Sequence, residues 1–134
     1  MASDMRIGEV ARSTGVKVAT IRFYEQIGLL KKAPRTDSNR RTYEQGDVRR
    51  LRFIRHAREL GFDIEAVREL ILLAGHPEEP CERADEIARS RLDEVERKLA
   101  RLDRLKGELS AMVEGRHGSI RECRVIEVLA GEDD

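Results

Sequence analysis

The stretch Ile7-Gly8-Glu9-Val10-Ala11-Arg12-Ser13-Thr14-Gly15-Val16-Lys17-Val18-Ala19-Thr20-Ile21-Arg22-Phe23-Tyr24 decides the fold. Ile7, Val10 and Ala11 recur at helical spacing, and Gly15 can close that helix with a left-handed cap. A second helix fits from Val18 to about Ile27, stopped by Gly28, with Leu29 packing back behind it. Its N-cap position carries Lys17, which has no side-chain acceptor, so that end is weakly marked. The small Ala11 lets two helices approach closely and Gly15 makes the turn between them, which is helix-turn-helix form. The second helix then carries Thr20, Arg22 and Tyr24, groups suited to base edges and phosphates, although Tyr24 fits a core position equally well. Phe23, and Phe53 further on, are expected in the core.

Downstream lies Lys31-Lys32-Ala33-Pro34-Arg35-Thr36-Asp37-Ser38-Asn39-Arg40-Arg41-Thr42-Tyr43. Pro34 precludes helix, and Asp37-Ser38-Asn39 is turn chemistry between two short extended segments, so a small basic hairpin is expected. A helix-turn-helix followed by Arg35, Arg40 and Arg41 on a projecting loop is the winged arrangement, with the wing on the neighbouring phosphate backbone. A third helix is expected from about Glu44 to Leu60, with Val48, Leu51 and Ile54 inward and Gly61 ending it. Asp63 is the expected N-cap of a fourth, which carries Ile64, Val67, Leu70 and Ile71.

Charge is distributed to match. The chain has 134 residues and a formal net charge of zero, but residues 1–60 hold 14 Lys/Arg against seven Asp/Glu, a net +7. The remainder is net −7, so the first half is the one expected to approach a polyanion. The longest apolar run, Leu70 to Ala74, is far too short for a bilayer, and no leader pattern opens the chain. A cytoplasmic protein with no membrane partner is expected. Nothing in the sequence pairs a nucleophile with a base, cradles a phosphate or matches a catalytic metal motif, so an enzyme is not expected.

From Cys81 or Glu82 to Val113 the pattern is one helix. Ala88, Leu92, Val95, Leu99, Leu102, Leu109 and Val113 follow 4-3 spacing with charge nearly everywhere else, which is an a/d stripe. At about 1.5 Å per residue this helix is roughly 48 Å long, more than one small core can cover. A partner helix is needed, and a second copy of the chain is its simplest source. Cys81 and Cys123 flank this helix, so a straight helix keeps them tens of Å apart and excludes an intrachain bridge. In an antiparallel homodimer, Cys81 of one chain meets Cys123 of the other, twice. Thiolates with an imidazole suit soft or borderline divalent ions, and His117 lies six residues before Cys123 between Gly115 and Gly118. The alternatives are that the cysteines are small buried residues, or that they form an interchain redox pair.

Ile7-Gly8-Glu9-Val10-Ala11, Thr20-Ile21-Arg22-Phe23-Tyr24-Glu25, Gly28-Leu29-Leu30, Asn39-Arg40-Arg41-Thr42-Tyr43, Leu51-Arg52-Phe53-Ile54-Arg55 and Leu60-Gly61-Phe62 resemble the MerR family of transcriptional regulators, in its heavy-metal-responsive branch. The resemblance covers almost the whole chain. It implies a mostly α fold, a winged helix-turn-helix DNA-binding domain followed by a long antiparallel coiled-coil dimerisation helix, with an effector site at the helix ends. The corresponding divisions are 1–75, 76–113 and 114–134. It also implies a dimer on double-stranded promoter DNA that distorts the duplex on binding effector, so that RNA polymerase can engage. By position, Thr20, Arg22 and Tyr24 contact DNA from the second helix, and Asn39, Arg40, Arg41 and Tyr43 from the wing. Arg52 and Arg55 add phosphate contacts from the third helix.

Metal-sensing relatives place one cysteine at the head of the long helix and one at each end of the loop beyond it. Cys81 and Cys123 match the first and last, whereas Val113-Glu114-Gly115-Arg116-His117 has no thiol. Replacement of a thiolate by His117 or Glu114 shifts the expected ion toward zinc or cadmium and away from lead or mercury. The presence of Cys81 argues against copper(I). A thiol redox regulator using an interchain Cys81–Cys123 pair is the alternative within the same fold.

Overall fold

The computed structural model describes residues 5–33, 42–114 and 118–131. They form α1 (Ile7–Thr14), α2 (Val18–Gln26), α3 (Gln45–Glu59), α4 (Ile64–Ala74), α5 (Glu82–Val113), a 3-10 turn (Ile120–Glu122) and α6 (Arg124–Leu129). Among the described residues, the extended pairing is a single antiparallel bridge, Met5 with Tyr43. The expected turn at Asp37-Ser38-Asn39 lies outside them. The chain divides into two compact units, residues 1–84 and 85–134.

In the first unit, several helix ends have a local cause. Glu9 reaches back to accept from the Arg6 N–H at 3.2 Å, and Asp47 accepts from the Glu44 N–H at 2.8 Å, starting α1 and α3. Asp63 caps α4 by accepting from the Ala66 N–H at 2.8 Å, as its side chain predicts. Lys17 provides α2 with no side-chain cap. Gly15 takes φ +75° and donates to the Ala11 carbonyl, ending α1. Beside it the buried Thr14 hydroxyl donates to the Val10 carbonyl at 2.8 Å and accepts from the Val16 N–H at 3.2 Å. The α1–α2 turn is therefore closed by hydrogen bonds on both flanks.

The core of this unit is Val10, Ile21, Tyr24, Leu29, Leu30, Tyr43, Val48, Leu51, Ile54 and Val67, with smaller neighbours. Two expectations are corrected here. Phe23 and Phe53 are 47% and 39% exposed rather than core residues. On α2 the inner face belongs to Ile21, Tyr24 and Glu25, and on α3 to Val48, Leu51 and Ile54. Each phenylalanine stands two places after one of these, about 200° round a helix of 3.6 residues per turn, and so faces out.

In the second unit α5 runs unbroken to Val113, and the stripe expected from its 4-3 spacing is bare. Leu92, Leu99, Leu102, Leu109 and Val113 are each half to two-thirds exposed, and Leu105 is little less. Ile126, Val128 and Leu129 of α6 are likewise exposed. No helix among the described residues is long and apolar enough to cross a membrane.

Candidate functional site

The residues expected to meet DNA fall into three groups. Arg22 is exposed on α2 and Thr20 half-buried on the same helix. Arg35, Asn39, Arg40 and Arg41 lie outside the described residues. Tyr24 is 7% exposed, so it takes the core position that its sequence context left open. Tyr43 is a correction: expected as a wing contact, it is fully buried and has no surface to offer a duplex. Its ring fills the core and its main chain forms both hydrogen bonds of the Met5 bridge, at 2.8 and 2.9 Å.

The third-helix arginines are exposed but already engaged. Arg52 donates to the Ser13 hydroxyl at 3.1 Å. Arg55 donates to the Thr14 carbonyl at 2.7 Å and pairs with Glu59 at 3.5 Å. The Thr14 carbonyl belongs to the open C-terminal end of α1, where a guanidinium is favoured both as donor and by the helix dipole. Arg68 of α4 does the same for the end of α2, donating to the Ile27 carbonyl at 3.0 Å. These contacts fasten α1 and α2, the two halves of the helix-turn-helix, to the helices behind them.

One buried carboxylate was not singled out from sequence. Glu25 is 4% exposed. Its Oε2 accepts from the Ala33 N–H at 3.1 Å and from the Tyr43 hydroxyl at 3.2 Å. A signal was available: Glu25 stands four residues after Ile21, an acid on the apolar face of its helix. Its partners, eight and eighteen residues away, were not legible.

For the expected metal ligands, Cys81 is exposed immediately ahead of α5, and Cys123 is partly exposed between the 3-10 turn and α6. His117 lies outside the described residues. Among those described, no three His, Cys, Asp or Glu side chains of one chain group closely enough to hold an ion. The donor chemistry fits a soft or borderline cation, but a single described chain does not complete a coordination shell. Close to Cys81 in sequence, Arg83 forms a two-pronged ion pair with Glu69 of α4, one arm being 2.8 Å. The Arg83 hydrogen bond holds the Glu69 carboxyl below the usual glutamate range, with its charge adding to the effect and desolvation opposing it.

The sequence profile of the MerR HTH family regulatory proteins matches residues 5–73, and a second profile, MerR, DNA binding, matches residues 48–112. Heavy metal-dependent transcription regulator 2 of Rhizobium meliloti is 39% identical over 127 residues, covering 94% of this chain and 86% of that protein. Among solved structures, the transcription regulator PbrR691 of Ralstonia metallidurans in complex with lead(II) aligns with TM-score 0.78 at 32% identity. That alignment covers 93% of this chain and 98% of the other. The dual function transcriptional regulator MerR of Bacillus megaterium in complex with mercury(II) aligns with TM-score 0.70 at 30% identity, covering 94% and 99%. The helix-turn-helix capped from behind, the long helix and these matches agree, and the chain belongs to the MerR family of DNA-binding transcription regulators, which are not enzymes.

Proposed function

We propose that the protein is a metal-responsive regulator that binds promoter DNA as a homodimer through α5. The observation that carries this reading is the bare leucine stripe of α5, with a thiol just ahead of the helix and another beyond its end. A stripe of that length exposed to water is unfavourable at about 25 cal/mol per Å2, and a second copy packed antiparallel covers it. The same packing brings Cys81 of one protomer to Cys123 of the partner protomer, with His117 as a supporting ligand. Zinc or cadmium is the preferred ion, with lead or mercury as weaker candidates. Cys81, Cys123 and His117 would hold the ion, which would link the two chains at the helix ends. Arg22 reads base edges, and the wing arginines Arg35, Arg40 and Arg41 meet phosphates together with Asn39. On metal binding the dimer distorts the duplex so that RNA polymerase engages the promoter.

The deciding experiment measures metal content after growth with each ion, followed by transcription in vitro from a promoter that the protein binds. One zinc or cadmium per Cys81–Cys123 pair, with transcription rising on its addition, is the expected result. A metal-free protein whose activity follows an interchain disulfide on non-reducing gels would replace this reading by the thiol redox one.

A further inference from the structure

We propose that Glu25 is a positioning residue for DNA recognition: one buried carboxylate oxygen ties both roots of the wing segment to the helix that reads the bases. Ala33 and Tyr43 bracket residues 34–42, which hold the basic residues Arg35, Arg40 and Arg41. Both roots donate to the same atom, Glu25 Oε2. Tyr43 is further fixed through its main chain to Met5, ahead of α1. The departure and return of the segment are thus referred to α2 itself, six residues round from Ala19 and three from Arg22.

Burial of a carboxylate at 4% exposure carries a desolvation cost that an apolar residue in the same stripe, beside Ile21, would not. The hydrogen bonds it accepts offset that cost, and they have a direction that dispersion contacts lack. An apolar residue here would fill the space but leave the Ala33 N–H and the Tyr43 hydroxyl without this shared acceptor, loosening the reference of the segment to α2. Affinity that depends on α2 and the wing reaching the duplex together is then lost, because each now engages without the other being in register.

The inference rests on the proposed contact of the wing arginines with phosphate, and its test separates the two. The probe is a short duplex selected from a random pool by the wild-type protein, with Kd measured across a salt series. Arg41→Ala is expected to weaken binding about fivefold and to lower the salt slope by about one, as for one lost phosphate contact. Glu25→Ala is expected to weaken binding at least as much and to lower the slope likewise. The double variant should match Glu25→Ala alone, since a wing already out of position has no Arg41 contact left to lose. Tyr43→Phe keeps the core ring, removes the hydroxyl's bond to Glu25, and should show a smaller loss with the same non-additivity, which serves if Glu25→Ala does not fold.

Losses that add fully, with the Glu25→Ala salt slope unchanged, would reduce Glu25 to a stabilising core residue and overturn the proposal. Unaltered affinity in Glu25→Ala overturns it as well. An Arg41→Ala protein that binds like wild type with the same slope would overturn the wing–phosphate reading itself, and the inference with it.

Discussion

Arg55 Nη1 lies 2.7 Å from the Thr14 carbonyl oxygen, and a Cβ placed on the adjacent Gly15 would stand 2.6 Å from that same nitrogen. The end of α1 is therefore sealed by a guanidinium whose tip a side chain at position 15 would push aside. The left-handed φ of +75° adds a second, independent reason for glycine there.

Gly15→Ala should accordingly destabilise the fold by about 1–3 kcal/mol, from backbone strain and displacement of Arg55 together. Arg55→Ala leaves the Thr14 carbonyl without its charged donor and should cost a similar amount, about 1.5–3 kcal/mol. Urea unfolding of each variant checks both. Since the two act at one spot, the double variant should lose less than the two single losses combined, and full additivity would mean the contact is not shared.

Arg22 is exposed on α2, with neither a core role nor a helix end to serve. Arg22→Ala should leave the unfolding transition within about 0.5 kcal/mol of wild type and weaken binding to a selected duplex by about 1–3 kcal/mol. Its loss should fall mainly on sequence discrimination: an equal weakening on selected and random duplexes would make Arg22 a phosphate contact instead.

What was legible in the sequence, and what was not, follows the range of the interactions involved. Asp63 capping Ala66, Gly15 ending α1 and the 4-3 stripe of α5 all act within one or two helical turns, so their signals sit side by side in the chain. The contacts that position the candidate interface span longer intervals. Arg55 reaches back 41 residues to Thr14, and Tyr43 reaches back 18 to Glu25. An arginine in a basic segment looks the same in sequence whether it meets a phosphate or a helix end. The aromatic residues failed for another reason: Phe23 and Phe53 are apolar by composition but fall on the outer arc of their helices, and helical phase outweighs hydropathy.

The Glu69–Arg83 pair joins α4 to the first turn of α5. With the folded carboxyl below its unfolded value, the stability this pair contributes is present above the ordinary glutamate range. It is lost as pH falls through the lowered folded pKa. Carboxyl carbon NMR should show Glu69 titrating below the usual glutamate range, and Arg83→Ala should return it toward that range. A Glu69 titration unaffected by Arg83→Ala would remove Arg83 as the cause.

Leu99 lies within the bare stripe of α5 at 60% exposure. Leu99→Asp should leave the isolated chain little changed, because the side chain already faces water. In the proposed dimer it would bury an unpaired charge, at about 3–5 kcal/mol for each such charge. Sedimentation should then show monomer at concentrations where wild type is dimeric. A Leu99→Asp protein that stays dimeric would rule out the stripe as the contact between copies.

The cross-chain metal site makes the most restrictive demand. With Cys81 from one protomer and Cys123 from its partner, each wild-type dimer holds two sites, and a homodimer of either Cys81→Ser or Cys123→Ser holds none. Both variants should still bind DNA, since neither cysteine lies among the residues proposed to contact it. A heterodimer of one Cys81→Ser chain with one Cys123→Ser chain is different: one interface pairs the two remaining thiols and the other pairs two serines. It should bind one ion per dimer with near wild-type affinity. His117→Ala homodimers should keep both sites at lower affinity, because loss of a neutral imidazole removes a donor but no charge, whereas loss of a thiolate removes both. Titration with zinc or cadmium against a competing chelator reads all five proteins on one scale. Two sites in the wild type, none in either cysteine homodimer, one in the heterodimer and two weakened in His117→Ala is the pattern required. A heterodimer with none would separate Cys81 from Cys123 and leave Cys81 as an exposed thiol ahead of α5, with no part in holding the ion.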